Sequence, residues 1–396
     1  MPRVLSALLA LAVPLAAQTT WVVDVDNRPG AQFTELAAAV AAAAHGDTLL
    51  VRAGSRPYAP FATDKGLRII GLSDPAIFAR RFTPVVRVAN LPAGETFVLD
   101  GFHVPPENSF EAVFTSNAGA IVLTRLRAIE SCNCGPGVLL PAGFAFTDCA
   151  QVAIDACENF GKPAVDVVRS NVVITRSRLG VNEVGMGWGN CLHVNGGEVA
   201  VVESVLDASY AMDINGLAQP AVRLFAGALR VGASAATSVQ GSSVTGMAHL
   251  QPAIEISGGS LELDGDVRLN PLYGGGVPLR ILGGSFTLRQ TPMVVARSAA
   301  SASSLQVDAL TTARAPLVVF AGLPIAPTAA LPFGTLWLDP SASLVLAAGI
   351  APANGIVGAS LALPGGLPPG LVVAVQCVAD LGAGLELSSP SLVALR

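Results

Sequence analysis

The chain has 396 residues, 52% hydrophobic and only 13% charged, with 41 glycines, 28 prolines and a net charge of −5. This apolar content excludes a disordered chain, and so much Gly and Pro interrupts long helices and excludes a helical bundle. The negative balance, with no basic run, argues against nucleic acid as a partner.

The first eighteen residues read as a secretory signal peptide: one positive charge at Arg3, an apolar stretch from Val4 to Leu15, then Ala16-Ala17 before polar Gln18. A strict A-x-A is missing, because Leu15 stands at −3 for a cut after Ala17. The alanine run Ala37 to Ala44 is too short and too weakly hydrophobic to span a bilayer. The mature chain is therefore expected to be secreted, extracellular or at the cell surface, with no membrane span.

Residues 21 to 72 form one module. Trp21 to Val25 is a strand, Asn27 to Gly30 a turn, and Phe33-Thr34-Glu35-Leu36 opens a helix through Ala44 with Thr34 as N-cap. Gly46-Asp47 ends that helix, and the strands Thr48 to Val51 and Gly66 to Gly71 follow. This order, an alanine-rich helix, Gly46-Asp-Thr-Leu-Leu-Val51, Ala53-Gly54, Tyr58 and Lys65-Gly-Leu-Arg-Ile-Ile-Gly71, resembles the opening of secreted right-handed parallel β-helix proteins of the pectin-lyase-like superfamily. The resemblance implies that the helix caps the coil and that the strand at Thr48 begins the first rung.

A β-helix repeats every ~20–30 residues. Segments ending on Arg125, Asp148, Arg176, Glu203, Gly232, Asp264 and Arg289 recur at intervals of 23, 28, 27, 29, 32 and 25 residues. Alternation around that column predicts an inward face carrying, among others, Val122, Ala145, Val173, Ala200, Leu229, Leu261 and Phe286. The column itself alternates in charge, so Arg125, Asp148, Arg176 and Glu203 are expected to form one outward ladder that favours the correct register. The predicted fold is all-β: a right-handed parallel β-helix over 19–310 with a short N-terminal capping helix, then a small antiparallel β-sandwich over 311–396. The second unit rests on Pro/Gly-rich turns between short strands at Gly334–Leu338, Ser343–Leu346, Val357–Leu363, Leu371–Val378 and Leu392–Leu395. An Ala/Ser-rich linker is placed near Ser298 to Ser304.

Six cysteines in an exported chain point to disulfides rather than metal ligands. Counted from Thr124 and Thr147, Cys134 and Cys157 share an offset of ten, which predicts an inter-rung disulfide between them. No metal site and no cofactor are expected. The densest chemically able cluster is Arg176, Arg178, Glu183, Trp188, His193, Asp207, Tyr210 and Asp213. Of these, Arg178, Glu183, Trp188, His193, Asp207, Tyr210 and Asp213 are the candidate carbohydrate-facing residues: rings for stacking, carboxylates and guanidinium for polar contacts. The alternative is that Arg176 belongs to the charge column and the others decorate turns.

Two functions follow. The first is a non-catalytic extracellular or cell-surface protein that binds a polysaccharide or cell-surface glycan along the coil. The second is a polysaccharide lyase or glycoside hydrolase. Glu183 and Asp207 would supply the paired carboxylates of hydrolysis, or Arg178 and His193 the neutralisation and base of a lyase. The acidic calcium clusters and the Asn-x-Asp and Gly-His-Gly motifs of the pectin-lyase-like enzymes are absent, the nearest feature being Asp264-Gly265-Asp266. No catalytic residue of that family maps onto this chain, which favours the first reading.

Overall fold

The structure, a computed structural model, describes residues 18–77, 84–104, 111–129, 143–161, 163–180, 190–208, 220–232, 243–246, 252–271, 278–298, 303–330, 333–382 and 384–395. Residues 1–17 of the expected signal peptide and 299–302 of the expected linker lie outside them. The chain is all-β, with parallel pairing up to Leu288 and antiparallel pairing from Met293 onwards. No helix among the described residues is long and apolar enough to cross a membrane.

The parallel strands form three ladders. The first runs Phe61–Thr63, Val86–Ala89, Ala112–Thr115, Phe144–Thr147, Val165–Val168, 192–195, 222–226, Ile254–Ile256 and Leu279–Ile281. The second runs Thr20–Val23, Thr48–Arg52, Arg68–Leu72, Thr96–Asp100, Ala120–Thr124, Gln151–Asp155, Val172–Thr175, 198–202, 228–232, Ser260–Leu263 and Ser285–Leu288. The third runs His103–Val104, Arg127–Ile129, Glu158–Phe160, Arg178–Gly180, Val205–Asp207, Ser243–Gly246 and Arg268–Pro271. The chain visits first, second and third in turn, then returns one strand further along each. That cyclic order is compatible with a β-helix. The enclosed core is aliphatic with an aromatic stack, Phe114 and Phe146 lying ring on ring at 5.0 Å.

Left-handed backbone turns mark two of the corners. They follow first-ladder strands at Asn90, Ser116, Asp148, Arg169 and Gly196, and second-ladder strands at Gly101, Arg125, Ala156, Arg176 and Glu203. Arg125, Arg176 and Glu203 therefore share a corner, as expected of one column, but Asp148 sits at the other. The rung between Arg125 and Arg176 turns at uncharged Ala156, and Asp148 occupies a similar sequence interval on the wrong corner. Asp148 instead pairs with Arg169 along its own corner at 2.6 Å. Arg125 binds Asp100 and Arg176 binds Asp155, each reaching back to the preceding rung.

The expected inward face is also corrected. Leu229, Leu261 and Phe286 do belong to the inward column, but Val122, Val173 and Ala200 point outward; the inward residues of those strands are Ile121 and Leu123, Val172 and Ile174, Val199 and Val201. Ala145 lies on the first ladder, outward, beside Asp166. Gly232 pairs with Val202, not Glu203, so aligning it with Glu203 slips the register by one and exchanges the faces. Alternation could not detect the slip because the second ladder is buried on both sides and reads as nearly continuous apolar sequence. Val98, Val122, Ala153, Val173 and Ala200 are covered by Trp337, Leu338, Val372, Ala374 and Leu392 of the antiparallel region.

That region comprises the sheet Met293–Ser298, Ser304–Leu310, Ile356–Ala362, the sheet Leu344–Ile350, Pro316–Gly322, Val372–Asp380 with Leu385–Leu387 and Ser391–Ala394, and the hairpin Pro324–Ala330, Gly334–Leu338. The strands Pro316–Gly322 and Pro324–Ala330 lie outside those expected from sequence; each begins on a proline, a position where the residue's missing N–H is tolerated. At the other end, the helix is Leu36–Ala42, shorter than expected, and its N-cap is Glu35 rather than Thr34, without a side-chain cap bond. Lys65 Nζ donates to the carbonyls of Val40, Ala41 and Ala43 at 2.7–3.1 Å, satisfying acceptors at the helix C-terminus.

The offset argument behind the expected Cys134–Cys157 pairing does not hold on the ladders. Thr124 belongs to the second ladder and Thr147 to the first, so a shared offset does not mean a shared face. Cys157 is a free, buried thiol, and Cys134 lies outside the described residues. Cys157 follows its left-handed corner as Ser177 and Ser204 follow theirs; its amide donates to Ser177 Oγ at 3.1 Å, and the Ser177 amide to Ser204 Oγ at 3.1 Å. Burial pushes the Cys157 and Cys377 thiols up to about 12 and Cys191 higher still, which keeps all three protonated and unreactive.

Glycines Gly197, Gly227, Gly259 and Gly284 stack at the first corner with positive φ, and a Cβ on Gly227 would lie 2.4 Å from the Gly197 carbonyl oxygen. Gly227→Ala is expected to destabilise the fold by at least ~2 kcal/mol, whereas Ala156→Gly, at φ 51, should be neutral or slightly stabilising. Denaturant midpoints of the two variants check this.

The carboxylates near the N-terminal end predict acid sensitivity. Hydrogen bonds from Arg28, at 2.7 and 3.1 Å, hold Asp24 below its ordinary 3.8 against the opposing effect of burial. Burial pushes Asp47 up, but donation from the Ala44 and Thr19 amides and the Trp21 indole leaves it lowered. A carboxylate that binds its proton more weakly when folded stabilises the fold above its unfolded value and loses that contribution as pH falls. Asp100, raised by burial in spite of Arg125, acts in the opposite sense. Stability should therefore fall between about pH 5 and pH 2, and Asp24→Asn should lower neutral stability while flattening that loss.

Candidate functional site

With the second ladder covered along much of its length, outward chemistry concentrates on the other two. The outward column of the first ladder reads Arg87, Val113, Ala145, Asp166, His193, Arg223, Glu255, Arg280. His193 Nδ1 lies 2.7 Å from Asp166 Oδ1, and its ring meets the edge of Phe225 at 5.2 Å. Phe225 is 43% exposed, standing where the strand register shifts between the first and second ladders. Arg223 Nε approaches Glu255 at 3.3 Å, and Arg280 binds the same carboxylate from the next rung. The site is thus a strip in which an Arg–Glu–Arg run adjoins a carboxylate–imidazole pair and one half-exposed aromatic ring.

The three described residues of the candidate set are divided between two ladders. His193 is on the first ladder; Arg178 and Asp207 are on the third. Arg178 pairs with Glu158 at 3.5 Å and lies over the Phe160 ring at 5.3 Å, while Glu158 also approaches Arg127 at 3.9 Å. These are exposed contacts between neighbouring rungs, worth under ~1 kcal/mol each. Asp207 pairs in register with Gly180, and the buried Cys191 thiol donates to the Leu179 carbonyl at 2.9 Å. Glu183, Trp188, Tyr210 and Asp213 lie outside the described residues. Asp166, Arg223, Phe225, Glu255 and Arg280 were missed, although a signal exists: Val165-Asp-Val, Leu192-His-Val, Val222-Arg-Leu, Ile254-Glu-Ile and Leu279-Arg-Ile repeat one charged or imidazole residue between two aliphatic ones.

A crevice between the second ladder and the antiparallel region is bordered by Glu198, Arg230, Thr335, Trp337 and Ser389. At about 30 Å³ it has room for no more than a water or two. No group of three or more His, Cys, Asp or Glu side chains placed to hold a metal occurs among the described residues. No family model matches the chain, and no curated protein matches it.

Glu255 is the buried centre of the strip, its side chain 7% exposed between two guanidinium groups. Glu255→Ala should therefore lower stability by about 2–4 kcal/mol, against under ~1 kcal/mol for Glu158→Ala on the exposed third ladder. Chemical denaturation of the two variants distinguishes them.

Proposed function

We propose that this is an exported, non-catalytic β-helix protein, right-handed and of the pectin-lyase-like kind, which binds a polysaccharide or cell-surface glycan along the outer face of its first ladder. The opening module and the cyclic order of three parallel ladders support the fold. The observation that carries the binding site is Phe225, half-exposed against His193 and flanked by Asp166 and Arg223. A sugar ring offers an apolar C–H face to an aromatic ring and hydroxyls to carboxylate and guanidinium groups, and this strip supplies all three. The strip repeats rung by rung along the first ladder, which suits an extended chain with repeating units.

The second reading, a lyase, draws on the His193–Asp166 contact. A carboxylate on Nδ1 favours the tautomer that leaves Nε2 as proton acceptor, the arrangement of a general base. The first reading is preferred because no catalytic motif of the pectin-lyase-like enzymes occurs in the sequence.

A panel of acidic and neutral polysaccharides, followed for both binding and ultraviolet-detected cleavage, tests both. Binding weakened about tenfold by Phe225→Ala, with no unsaturated product, is the expected result. Binding unaffected by Phe225→Ala removes the proposed site. Cleavage that disappears in His193→Ala establishes the lyase instead.

A further inference from the structure

We infer that the last rung of the parallel ladders is a self-association surface through which two copies of this chain stack end to end about a two-fold axis. One rung earlier, the inward residues Ile256, Leu261 and Leu263 are 0%, 1% and 5% exposed. Their partners on the last rung, Ile281, Phe286 and Leu288, are 47%, 37% and 61% exposed. The hydrophobic core of the coil thus opens onto solvent at this end. Beyond it, Leu279–Ile281 and Ser285–Leu288 have no further strand partner among the described residues, so a row of backbone donors and acceptors accompanies the apolar surface.

Three observations select a second copy as the occupant. An open strand edge is completed by another strand whose apolar residues alternate in the same phase, and the chain's own last rung is such a strand. A two-fold axis through Thr287 would set Phe286 of each copy opposite Leu288 of the other, with Thr287 opposite Thr287; all inward residues then meet inward residues. A two-fold contact also brings like residues together, so it tolerates little charge. Ser285, Phe286, Thr287 and Leu288 are neutral, and the nearby cations are engaged within the chain, Arg280 by Glu255 and Arg289 by Glu262 at 2.8 Å and Glu386 at 3.1 Å. Finally, the described residues at the opposite end offer no matching opening, since Leu36, Ala39 and Val40 of the helix are buried in the apolar core with the first strands. Head-to-tail growth into a filament is thereby disfavoured, and a closed dimer remains.

Sedimentation equilibrium of the full chain across the micromolar range, with Leu288→Lys and Phe286→Lys beside it, tests this. Twice the single-chain mass is expected, with the dimer dissociation constant rising at least about a hundredfold in either variant. Because both side chains are already exposed, the variants should keep the parent circular dichroism and, at concentrations low enough for the parent to be monomeric, its unfolding midpoint, which separates lost association from lost folding. Thr287→Cys should give an intermolecular disulfide on mild oxidation, whereas Val345→Cys, 58% exposed elsewhere, should not. A monomer at every concentration, a dimer indifferent to both lysines, or open-ended growth into longer species would overturn the inference.

Discussion

The fold depends on register between successive parallel strands. Each rung accepts and donates backbone hydrogen bonds to the rungs on either side, and each inward side chain rests on its counterpart one turn away. A shift of one residue in the first ladder would carry Val165, Leu192, Val222 and Ile254 outward and Asp166, His193, Arg223 and Glu255 into the core. Burying unpaired charges there would cost several kcal/mol each, far more than any surface ion pair returns. The alternating columns, Arg223, Glu255 and Arg280 on the first ladder and Arg230, Glu262 and Arg289 beside the second, add a smaller electrostatic preference for the same register.

Covering the second ladder has a consequence for function. Its central outward column is aliphatic from Val98 to Ala200, where the antiparallel region lies on it with Trp337 as a buried anchor. Past Ala200 the same column becomes Arg230 and Glu262, and contact passes to ion pairs such as Arg289 with Glu386. Arg297 ties the two parts again, holding Glu203 at 2.8 Å and Asp308 at 2.5 Å. The outer surface left for recognition is therefore chiefly that of the first and third ladders. The proposed glycan strip lies on the first, where Phe225 is the exposed aromatic residue.

The repeat itself is legible in the sequence, because apolar triplets and corner glycines recur at rung-sized intervals. Its register is not, and the failures share one cause. A 20-residue rung between the left-handed corners Ala156 and Arg176 follows a 31-residue rung between Arg125 and Ala156. An alignment that expects even spacing passes over the uncharged corner and takes Asp148 from another side of the coil. The same confusion of corners produced the expected disulfide at Cys157, a thiol that occupies the inner position held by serine on the next two rungs. Of the candidate site, His193 was recognised but its partner Asp166 was not. They lie 27 residues apart and become neighbours only once the ladders are in register.

The most direct test of the three-ladder register is the distance between spin labels on the outward column of the first ladder. Adjacent strands are ~4.8 Å apart, so labels at Arg87 and His193, four rungs apart, should lie roughly 19 Å from each other, and labels at Arg87 and Arg280, seven rungs apart, roughly 34 Å. Double electron–electron resonance distances that grow in proportion to rung number are the predicted result. Distances that do not increase from the first pair to the second, or that fit no common rise per rung, would contradict the account.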